Sequence, residues 1–396
     1  MRKQKILFML INMNIGGTEK ALLNMISQMP KNEYEITILM LEKYGGFLDA
    51  IPSHVQIEYV ENYKDIKTIL NQPPRIVARH LFQQGKIIKG INLLLVYCIS
   101  KIFKNKGYFF HYVTKKTPKI TSEYDIAIAY AGPMDFISFF VVHKINAKRK
   151  IQWIHFDVEK FGIDKGYAKK IYRNFDKIHV VSEEAKRKLI KAVPSVKNKT
   201  SVFLNMISPE QILKQSKDGI GFKDNFSGIR ILTVGRLSIE KGQDLAIKVL
   251  ARLIKDGHNV RWYCVGDGNA RNEYERLIAE NNLETHFFLL GSEPNPYPYM
   301  EQCDVYVQPS RHEGYCITLT EAKCFNKPII STNFTGVSEQ IIHDKTGLIV
   351  KVDEVKLYEA VKRVITDVNL QGKLMHNLLR ENELNRNCKD ITLLNW

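Results

Sequence analysis

The sequence lacks paired cysteines. Its 396 residues include six cysteines, and none of them stands in a C-x-x-C pair or beside a histidine cluster. This spacing argues against a structural zinc site, and single scattered cysteines are typical of proteins in a reducing cytoplasm. We therefore expect no metal site, and we expect the chain to work in the cytoplasm.

Long apolar runs are also missing. The N-terminal run, Ile6–Ile11, is short, has no small-residue cleavage site and leads into a Gly-Gly turn. The longest other run, Ile91–Ile99, is far shorter than the ~20 residues that cross a bilayer. The first run therefore predicts a buried strand rather than a signal peptide.

Acidic residues are absent between Asp65 and Glu123, where eleven Lys or Arg occur. Residues 1–215 hold 35 Lys and Arg and 18 Asp and Glu, a net charge of +17, whereas residues 216–396 hold 23 and 24, a net charge of −1. The basic half favours an anionic partner, which is a membrane surface, a nucleic acid or an acidic substrate. Aromatic residues are not interleaved with the basic ones as stacking platforms, so we expect no nucleic-acid partner.

Within this basic segment (67–119), the run RIVARHLFQQGKIIKGINLLLVYCISKIFK is amphipathic at helical spacing, with lysines between apolar positions. That composition is typical of a helix lying at the interface of an anionic membrane. A core helix with a solvated basic face has the same composition. The run therefore leaves both interpretations open.

Short apolar runs alternate with helical patterns along the whole chain. The runs KILFMLI, EITILML, YDIAIAY and KIQWIH read as strands, and SEEAKRKLIKAV reads as a helix that begins at a capping Ser182. After a polar, glycine-rich segment (214–228), the alternation restarts with IRILTVGR. This pattern predicts an α/β fold of two doubly wound, Rossmann-like domains facing a central cleft.

The stretch SRHEGYCITLTEA carries two carboxylates, Glu313 on a predicted loop and Glu321 inside a predicted helix that begins near Cys316. The amides at a helix start carry partial positive charge and suit a phosphate. Carboxylates beside such a site are suited to accept hydrogen bonds from hydroxyl groups, as sugars offer. The alternative is that both glutamates are solvated charges.

Further candidates follow predicted strands. In VGRLSIEKG, Arg236 and Lys241 are cations placed to neutralise a diphosphate, and VGDG is a glycine turn. NIGGTEK is a Gly-Gly turn that would allow backbone to lie close to a substrate, and WIHFD puts His155 at a strand end. A tight turn and a structural histidine are the alternatives for the last two motifs.

Taken in order, these motifs resemble the glycosyltransferase family 4 enzymes, which are retaining bacterial enzymes of GT-B fold. EGYCITLTEA is similar to their E-x7-E motif and GRLSIEKG to their G-R-x4-K-G turn, and VGDG, NPYPYMEQCDVYVQPSR and GGTEK fit at the expected places. The resemblance is strong in residues 229–350 and looser before them. One departure is NMIS, Asn205–Ser208, where the family usually has an N-P-[IV]-D hinge turn. A D-x-D motif for a divalent metal is absent from the second domain, which suits a metal-independent enzyme.

The resemblance implies a role for each motif. Arg236 and Lys241 would bind the diphosphate of the donor, Glu313 would accept from sugar hydroxyls, Glu321 would hold the ribose, and His155 would reach the donor sugar. The implied catalytic residues are His155, Arg236, Lys241 and Glu313. The implied donor-binding residues are Gly16, Gly17, Gly235, Arg236, Lys241, Gly266, Gly268, Gly314, Cys316, Ile317, Thr318 and Glu321.

The resemblance also implies the domain roles and the activity. Residues 1–210 would bind the acceptor, residues 211–375 the nucleotide sugar, and the tail, 376–396, would cross back to the first domain. We expect a retaining transferase that uses a nucleotide sugar, with UDP favoured and no further cofactor. The acceptor would be a lipid-linked glycan of capsule, O-antigen or exopolysaccharide synthesis, at the inner face of the cell membrane. A GT-B sugar-nucleotide epimerase and a basic membrane- or nucleic-acid-binding protein are the alternatives.

Overall fold

The computed structural model describes residues 2–132 and 134–387. These residues form two compact units. The first consists of the residues up to Asn14 together with Met25–Leu204, and the second of Ile15–Asn24 together with the chain from Asn205 onward. The change of unit after Leu204 lies a few residues before the predicted boundary at 210/211.

Each predicted apolar run of the first unit forms a strand of one parallel sheet. Its described strands are β1 (Gln4–Leu10), β2 (Tyr34–Met40), β3 (Gln56–Tyr59), β4 (Ile120–Gly132), β5 (Ile145–Ile154), β6 (Lys177–Val180) and β7 (Thr200–Val202). The sheet order is β3-β2-β1-β4-β5-β6-β7, and all pairs are parallel. The central strands are buried on both faces, which explains their nearly continuous apolar sequences.

The described helices of the first unit lie between these strands along the chain. They are α1 (Gly17–Gln28), whose first part packs with the second unit, α2 (Tyr63–Asn71), α3 (Pro74–Gln83), α4 (Ile87–Ile102), α5 (Gly107–Val113), α6 (Asp135–Lys144), α7 (Val158–Phe161), α8 (Lys165–Tyr172) and α9 (Glu183–Ala192). The predicted cap of α9 is confirmed, because the Ser182 hydroxyl accepts a hydrogen bond from the Ala185 amide at 3.0 Å. The amphipathic basic run is two helices, α3 and α4, and Gly85 between them has a φ of +72°.

The second unit repeats the architecture with a sheet of six strands. The elements in chain order are α10 (Pro209–Gln215), β8 (Ile229–Val234), α11 (Gln243–Lys255), β9 (Val260–Val265), α12 (Arg271–Glu280), β10 (Phe287–Gly291), α13 (Tyr297–Gln302), β11 (Val305–Gln308), α14 (Ile317–Lys323), β12 (Ile329–Thr332), β13 (Leu348–Val350), α15 (Glu354–Thr366) and α16 (Val368–Asn387). The order β10-β9-β8-β11-β12-β13 is again parallel throughout.

Helix α16 carries the described part of the predicted tail. Leu374 and Leu378 are fully buried in the core of the second unit, and Asn382 donates to the Lys323 carbonyl at 2.8 Å. The tail therefore packs on the second unit as far as Asn382. Residues 388–396, including Cys388, lie outside the described part, so a return to the first domain stays a prediction.

Among the described residues, no helix has both the length and the apolar character that crossing a membrane requires.

Candidate functional site

The second sheet has a switch point between β8 and β11, because successive strands run outward from these two in opposite directions. Open parallel sheets bind ligands beside the carboxyl ends of the strands at such a point. The loops that follow β8, β9 and β11 contain GRLSIEKG, VGDG and SRHEG, respectively. Three motifs that are far apart in sequence therefore meet at one edge of the sheet.

Two glycines allow the loops after β8 and β9 to touch. At Gly266, where φ is +143°, an added Cβ would lie 2.1 Å from the Gly235 carbonyl oxygen. At Gly268, an added Cβ would lie 2.3 Å from the Leu237 carbonyl oxygen. The VGDG turn is thus required by close packing of backbone on backbone, and it fixes the position of the loop that carries Arg236.

Lys241 and Glu313 form an ion pair at the centre of these loops. The Lys241 ammonium donates to Glu313 Oε1 at 2.6 Å, and the Ser310 hydroxyl donates to the same oxygen at 2.8 Å. Gln308 Nε2 donates to the Ser310 hydroxyl at 2.9 Å, and the Tyr306 hydroxyl donates to Gln308 Oε1 at 2.8 Å. This chain ties the ion pair to the buried strand β11, so its geometry is fixed by the core.

The electrostatics keep Lys241 charged. Burial acts to lower the pKa of Lys241, but the charge and hydrogen bond of Glu313, together with Cys316, raise it above its ordinary value. Only 10% of the Glu313 side chain is exposed, so the alternative of a solvated glutamate is wrong at this position.

Glu321 is also buried, with 3% of its surface exposed, and is no solvated charge either. The Tyr297 hydroxyl donates to Glu321 Oε1 at 2.7 Å. Burial raises the pKa of Glu321, while the charge of Lys20 and the bond from Tyr297 act in the opposite direction. The Lys20 ammonium lies 5.3 Å from the centre of the Tyr297 ring.

Arg236 follows β8 and is exposed. Its backbone carbonyl accepts from Gln243 Nε2 at 2.9 Å, which anchors the start of the loop while the guanidinium reaches solvent. The Gly-Gly turn lies nearby within the same unit, since an added Cβ at Gly16 would be 3.8 Å from the guanidinium and 2.6 Å from Glu19 Oε2. Burial raises the pKa of Glu19 to about 7, and the charge of Arg236 acts against this shift.

The second glycine of that turn has a different environment. A Cβ added at Gly17 would meet no protein atom within 4 Å. The packing of the protein itself therefore does not require a glycine here.

The predicted helix after Glu313 is present but shorter than the apolar run suggested. Gly314 is buried, Cys316 precedes α14, and the helix ends at Lys323. The Thr318 hydroxyl lies 3.2 Å from Cys316 Sγ and 3.4 Å from Gln308 Oε1. The first turn of α14, with Ile317, is thus joined to the same network that holds Glu313.

Sequence reasoning missed the clamp that holds the SRHEG loop. The Arg311 guanidinium makes a bidentate contact with the Asp244 carboxylate at 2.7 and 2.6 Å and donates to the Ile239 carbonyl at 2.7 Å. These contacts join the loop after β11 to the start of α11. The partners are far apart in sequence, and no local pattern signals their pairing.

In the first unit, His155 directly follows β5 and is buried against aromatic rings. Its ring centroid lies 4.5 Å from that of Tyr130 and 6.0 Å from that of Trp153, with the Trp ring nearly parallel. Burial lowers the pKa of His155 to about 3, and a hydrogen bond to the Tyr130 backbone acts in the opposite direction. Among the described residues, His155 Nε2 has no hydrogen-bond partner. A neutral ring whose Nε2 is unpaired can form a hydrogen bond with a ligand hydroxyl.

This pKa makes the stability of the chain depend on pH. The folded protein keeps His155 neutral, whereas the unfolded chain takes up a proton below about pH 6.5. The stability that the neutral His155 contributes is fully present above that pH and is lost as the pH falls towards 3. Between pH 7 and pH 5, the wild type should lose about 2 kcal/mol of unfolding free energy relative to His155→Gln. Urea unfolding of both chains checks this, with His376→Gln at an exposed position as the control. An unchanged difference between the two pH values would contradict the buried neutral ring.

The whole described chain is similar to GT-B structures. The crystal structure of Anabaena Alr3699/HepE in complex with UDP and glucose has a TM-score of 0.67, with 18% sequence identity over 96% of this chain and 95% of that one. At this identity the likeness shows the fold alone. The fold is GT-B, with two Rossmann-like domains of parallel sheets, as the sequence predicted.

Residues 222–381 match the family model described as Glycosyl transferases group 1. The second unit therefore contains a domain of this group. An N-acetylgalactosamine-N,N'-diacetylbacillosaminyl-diphospho-undecaprenol 4-alpha-N-acetylgalactosaminyltransferase of Campylobacter jejuni is 33% identical over 44% of this chain and 46% of its own length. The capsular polysaccharide biosynthesis glycosyltransferase CapM of Staphylococcus aureus is 25% identical over 50% of this chain and 55% of its own length. The chain spans about half the length of the curated relatives it matches.

Proposed function

We propose that the chain is a retaining, metal-independent glycosyltransferase. It moves a sugar from a nucleotide sugar, with UDP favoured, to a hydroxyl of a lipid-linked glycan. The observation that carries the proposal is the network of Lys241, Glu313 and Ser310 at the switch point of the second sheet. The Lys241 ammonium can bind a diphosphate, and the Glu313 carboxylate can accept hydrogen bonds from sugar hydroxyls. The network would therefore provide the two groups that a sugar diphosphate requires.

The donor would lie along the loop edge of the second sheet. The Lys241 ammonium and the Arg236 guanidinium are the cations for the diphosphate, and the first-turn amides of α14 add donors. The hydrogen bonds from Lys241 and Ser310 both go to Oε1 of Glu313, which leaves Oε2 to accept from a sugar hydroxyl. Glu321 would accept from the ribose hydroxyls, with the Tyr297 hydroxyl orienting its carboxylate.

The reaction would break the bond between the anomeric carbon and the diphosphate oxygen and form a bond to the acceptor oxygen. The acceptor hydroxyl attacks from the face that the diphosphate leaves, and its proton passes to the leaving phosphate oxygen. Lys241 and Arg236 stabilise the negative charge that grows on the diphosphate, which is usually the largest contribution to catalysis. A double displacement needs a carboxylate nucleophile at the anomeric carbon. Glu313 is tied to Lys241 and Ser310 and would accept hydrogen bonds from sugar hydroxyl groups instead.

The nature of the acceptor rests on the relatives. The Campylobacter jejuni enzyme is named for a diphospho-undecaprenol substrate and CapM for capsular polysaccharide biosynthesis. These names support a lipid-linked glycan acceptor and a role in capsule, O-antigen or exopolysaccharide synthesis. A GT-B sugar-nucleotide epimerase would use the same donor site without an acceptor. Incubation of the enzyme with a nucleotide sugar alone separates the two, because only the epimerase forms an epimer.

The donor is tested by thermal shift against UDP, GDP and a panel of their sugars. A nucleotide present at a hundred times its dissociation constant stabilises the fold by about 2.7 kcal/mol, so a true donor raises the melting temperature. UDP compounds should give the largest shift. If no compound of the panel shifts the melting temperature, the proposal fails.

Glu321→Gln should weaken UDP binding by about tenfold, because a buried carboxylate accepts stronger hydrogen bonds than an amide oxygen does. The amide keeps the side-chain volume and still accepts from Tyr297. Calorimetric titration with UDP measures the change, and Glu284→Gln, at an exposed position, is the matched control. If Glu321→Gln binds UDP as the wild type does, the role of Glu321 at the ribose is wrong.

A further inference from the structure

Helix α4 exposes a row of large apolar side chains. Ile88 is 76% exposed, Leu95 54% and Ile102 74%, and Ile91 and Ile99 between them are exposed as well. At 100° per residue, these five side chains fall within an arc of about 80° on the helix surface. We call this row the α4 stripe. Exposed apolar residues that occur singly are normal, whereas a continuous row marks an interaction surface.

Lysines flank the stripe on both sides. Lys89 and Lys101 project about 120° to either side of its centre, and both are exposed. Lys86 and Lys104 stand at the two ends of the helix, where they are also exposed. No acidic residue occurs anywhere in residues 66–122. Within this stretch of the chain, the apolar row is therefore bordered by positive charge alone.

The opposite side of α4 is fixed to the first unit. Gly90, Leu93 and Ser100 are buried, and an added Cβ at Gly90 would lie 2.4 Å from the ring of Phe82 on α3. The Tyr112 hydroxyl of α5 donates to the Lys89 carbonyl at 3.2 Å. The helix thus presents the stripe on a packed support, and the exposure of these residues does not come from a loose segment.

We propose that the α4 stripe and its flanking lysines form a docking face for an anionic membrane surface. The helix lies in the plane of the interface, the isoleucines and Leu95 enter the boundary of the acyl chains, and the lysines reach the lipid phosphates. A core helix with a solvated basic face would expose polar residues, and the stripe is apolar. The proposal does not rest on the proposed activity, because it follows from the first unit alone.

A second copy of this chain is the competing occupant of the stripe. The charges favour the membrane. Helices α3 and α4 with the residues that end them carry six cations and no anion: Arg75, Arg79, Lys86, Lys89, Lys101 and Lys104. Pairing two copies through this face would bring like charges together, whereas an anionic lipid surface attracts each of them.

The apolar part is tested by flotation of the full chain with vesicles of phosphatidylcholine alone or mixed with phosphatidylglycerol, at about 150 mM salt. The wild type should float with the anionic vesicles. Ile88→Ser/Ile102→Ser should lower the partition coefficient by about tenfold or more. The matched control is Ile220→Ser/Val368→Ser, which removes two equally exposed apolar side chains from the second unit and should float as the wild type does.

The electrostatic part uses Lys89→Gln/Lys101→Gln. Each lysine near an anionic surface should contribute about fivefold to binding, so the double variant should bind about 25-fold more weakly. Lys255→Gln/Lys351→Gln removes the same charge from exposed positions of the second unit and should bind as the wild type does. UDP-induced thermal shifts of all four variants should equal that of the wild type, which separates this face from the nucleotide site.

Four outcomes would overturn the proposal. They are no flotation with anionic vesicles, equal flotation with neutral ones, unchanged binding of the stripe variants, and a lipid-free dimer that Ile88→Ser/Ile102→Ser converts to a monomer in light scattering. Tighter binding of random RNA than of anionic vesicles, lost in Lys89→Gln/Lys101→Gln, would assign the face to nucleic acid instead.

Discussion

Lys241→Ala should lower kcat by about 10²–10³-fold, because the variant loses a preorganised cation beside the leaving diphosphate. The ammonium is held by Glu313 at 2.6 Å before any substrate binds, so its position requires no reorganisation during the reaction. The release of UDP from a UDP-sugar in the presence of acceptor measures the effect. Arg236→Ala should act in the same direction.

The control for this change is Lys248→Ala, which removes an exposed lysine from α11, the helix that follows Lys241. Loss of Lys241 also leaves the Glu313 carboxylate without its cation, which costs stability. Lys241→Gln therefore serves as a second variant, since its amide still donates to Glu313. Melting temperatures of both variants separate unfolding from lost catalysis. Near-normal turnover in folded Lys241→Ala and Lys241→Gln would refute the role of this residue.

Gly266→Ala should destabilise the protein by at least about 3 kcal/mol and weaken UDP binding, because the residue combines a φ of +143° with backbone contact. The new Cβ would lie 2.1 Å from the Gly235 carbonyl oxygen, so the loop that leads to Arg236 has to move. Urea unfolding and calorimetric titration with UDP measure the two effects.

Gly257→Ala is the matched control for backbone strain. Gly257 also has a positive φ, +82°, but an added Cβ would meet no atom within 4 Å. This variant should lose only about 1 kcal/mol and bind UDP normally. Equal losses of stability in both variants would show that the contact between the loops after β8 and β9 does not matter.

The strands were predictable because their environment repeats along the chain. A parallel strand covered on both faces needs a nearly continuous apolar run, and the runs from KILFMLI to IRILTVGR met that condition. The start of α14 after Cys316 and the Ser182 cap were also predictable, because each depends on residues close by in the sequence. Local rules act over a few residues, and a sequence displays them directly.

The partners within the candidate site were not predictable in this way. The bond from Tyr297 to Glu321 and the clamp of Arg311 on Asp244 join residues that only the sheet topology brings together. Burial of Glu321 depends on that packing too, since the side chain would be solvated on an isolated helix. The motifs located the loops, whereas tertiary contacts determine whether each charged side chain is buried and which partner it has.

The structure of the basic run was predictable only in part. Its helical periodicity was visible, but the break at Gly85 divides it into α3 and α4. Which apolar residues become exposed depends on how these two helices and α5 pack. The sequence therefore left the membrane face and the solvated helix open, and the exposure of Ile88 and Ile102 favours the first.

The proposed glycosyl transfer is tested by following the reaction of one UDP-sugar with an undecaprenyl diphosphate-linked sugar in the presence of the purified chain. UDP should form in step with addition of the sugar to the lipid-linked acceptor, the new linkage should keep the anomeric configuration of the donor, and Lys241→Ala should lower both signals by about 10²–10³-fold. Consumption of no nucleotide sugar across the UDP and GDP panel, or an epimer formed without acceptor, would contradict it.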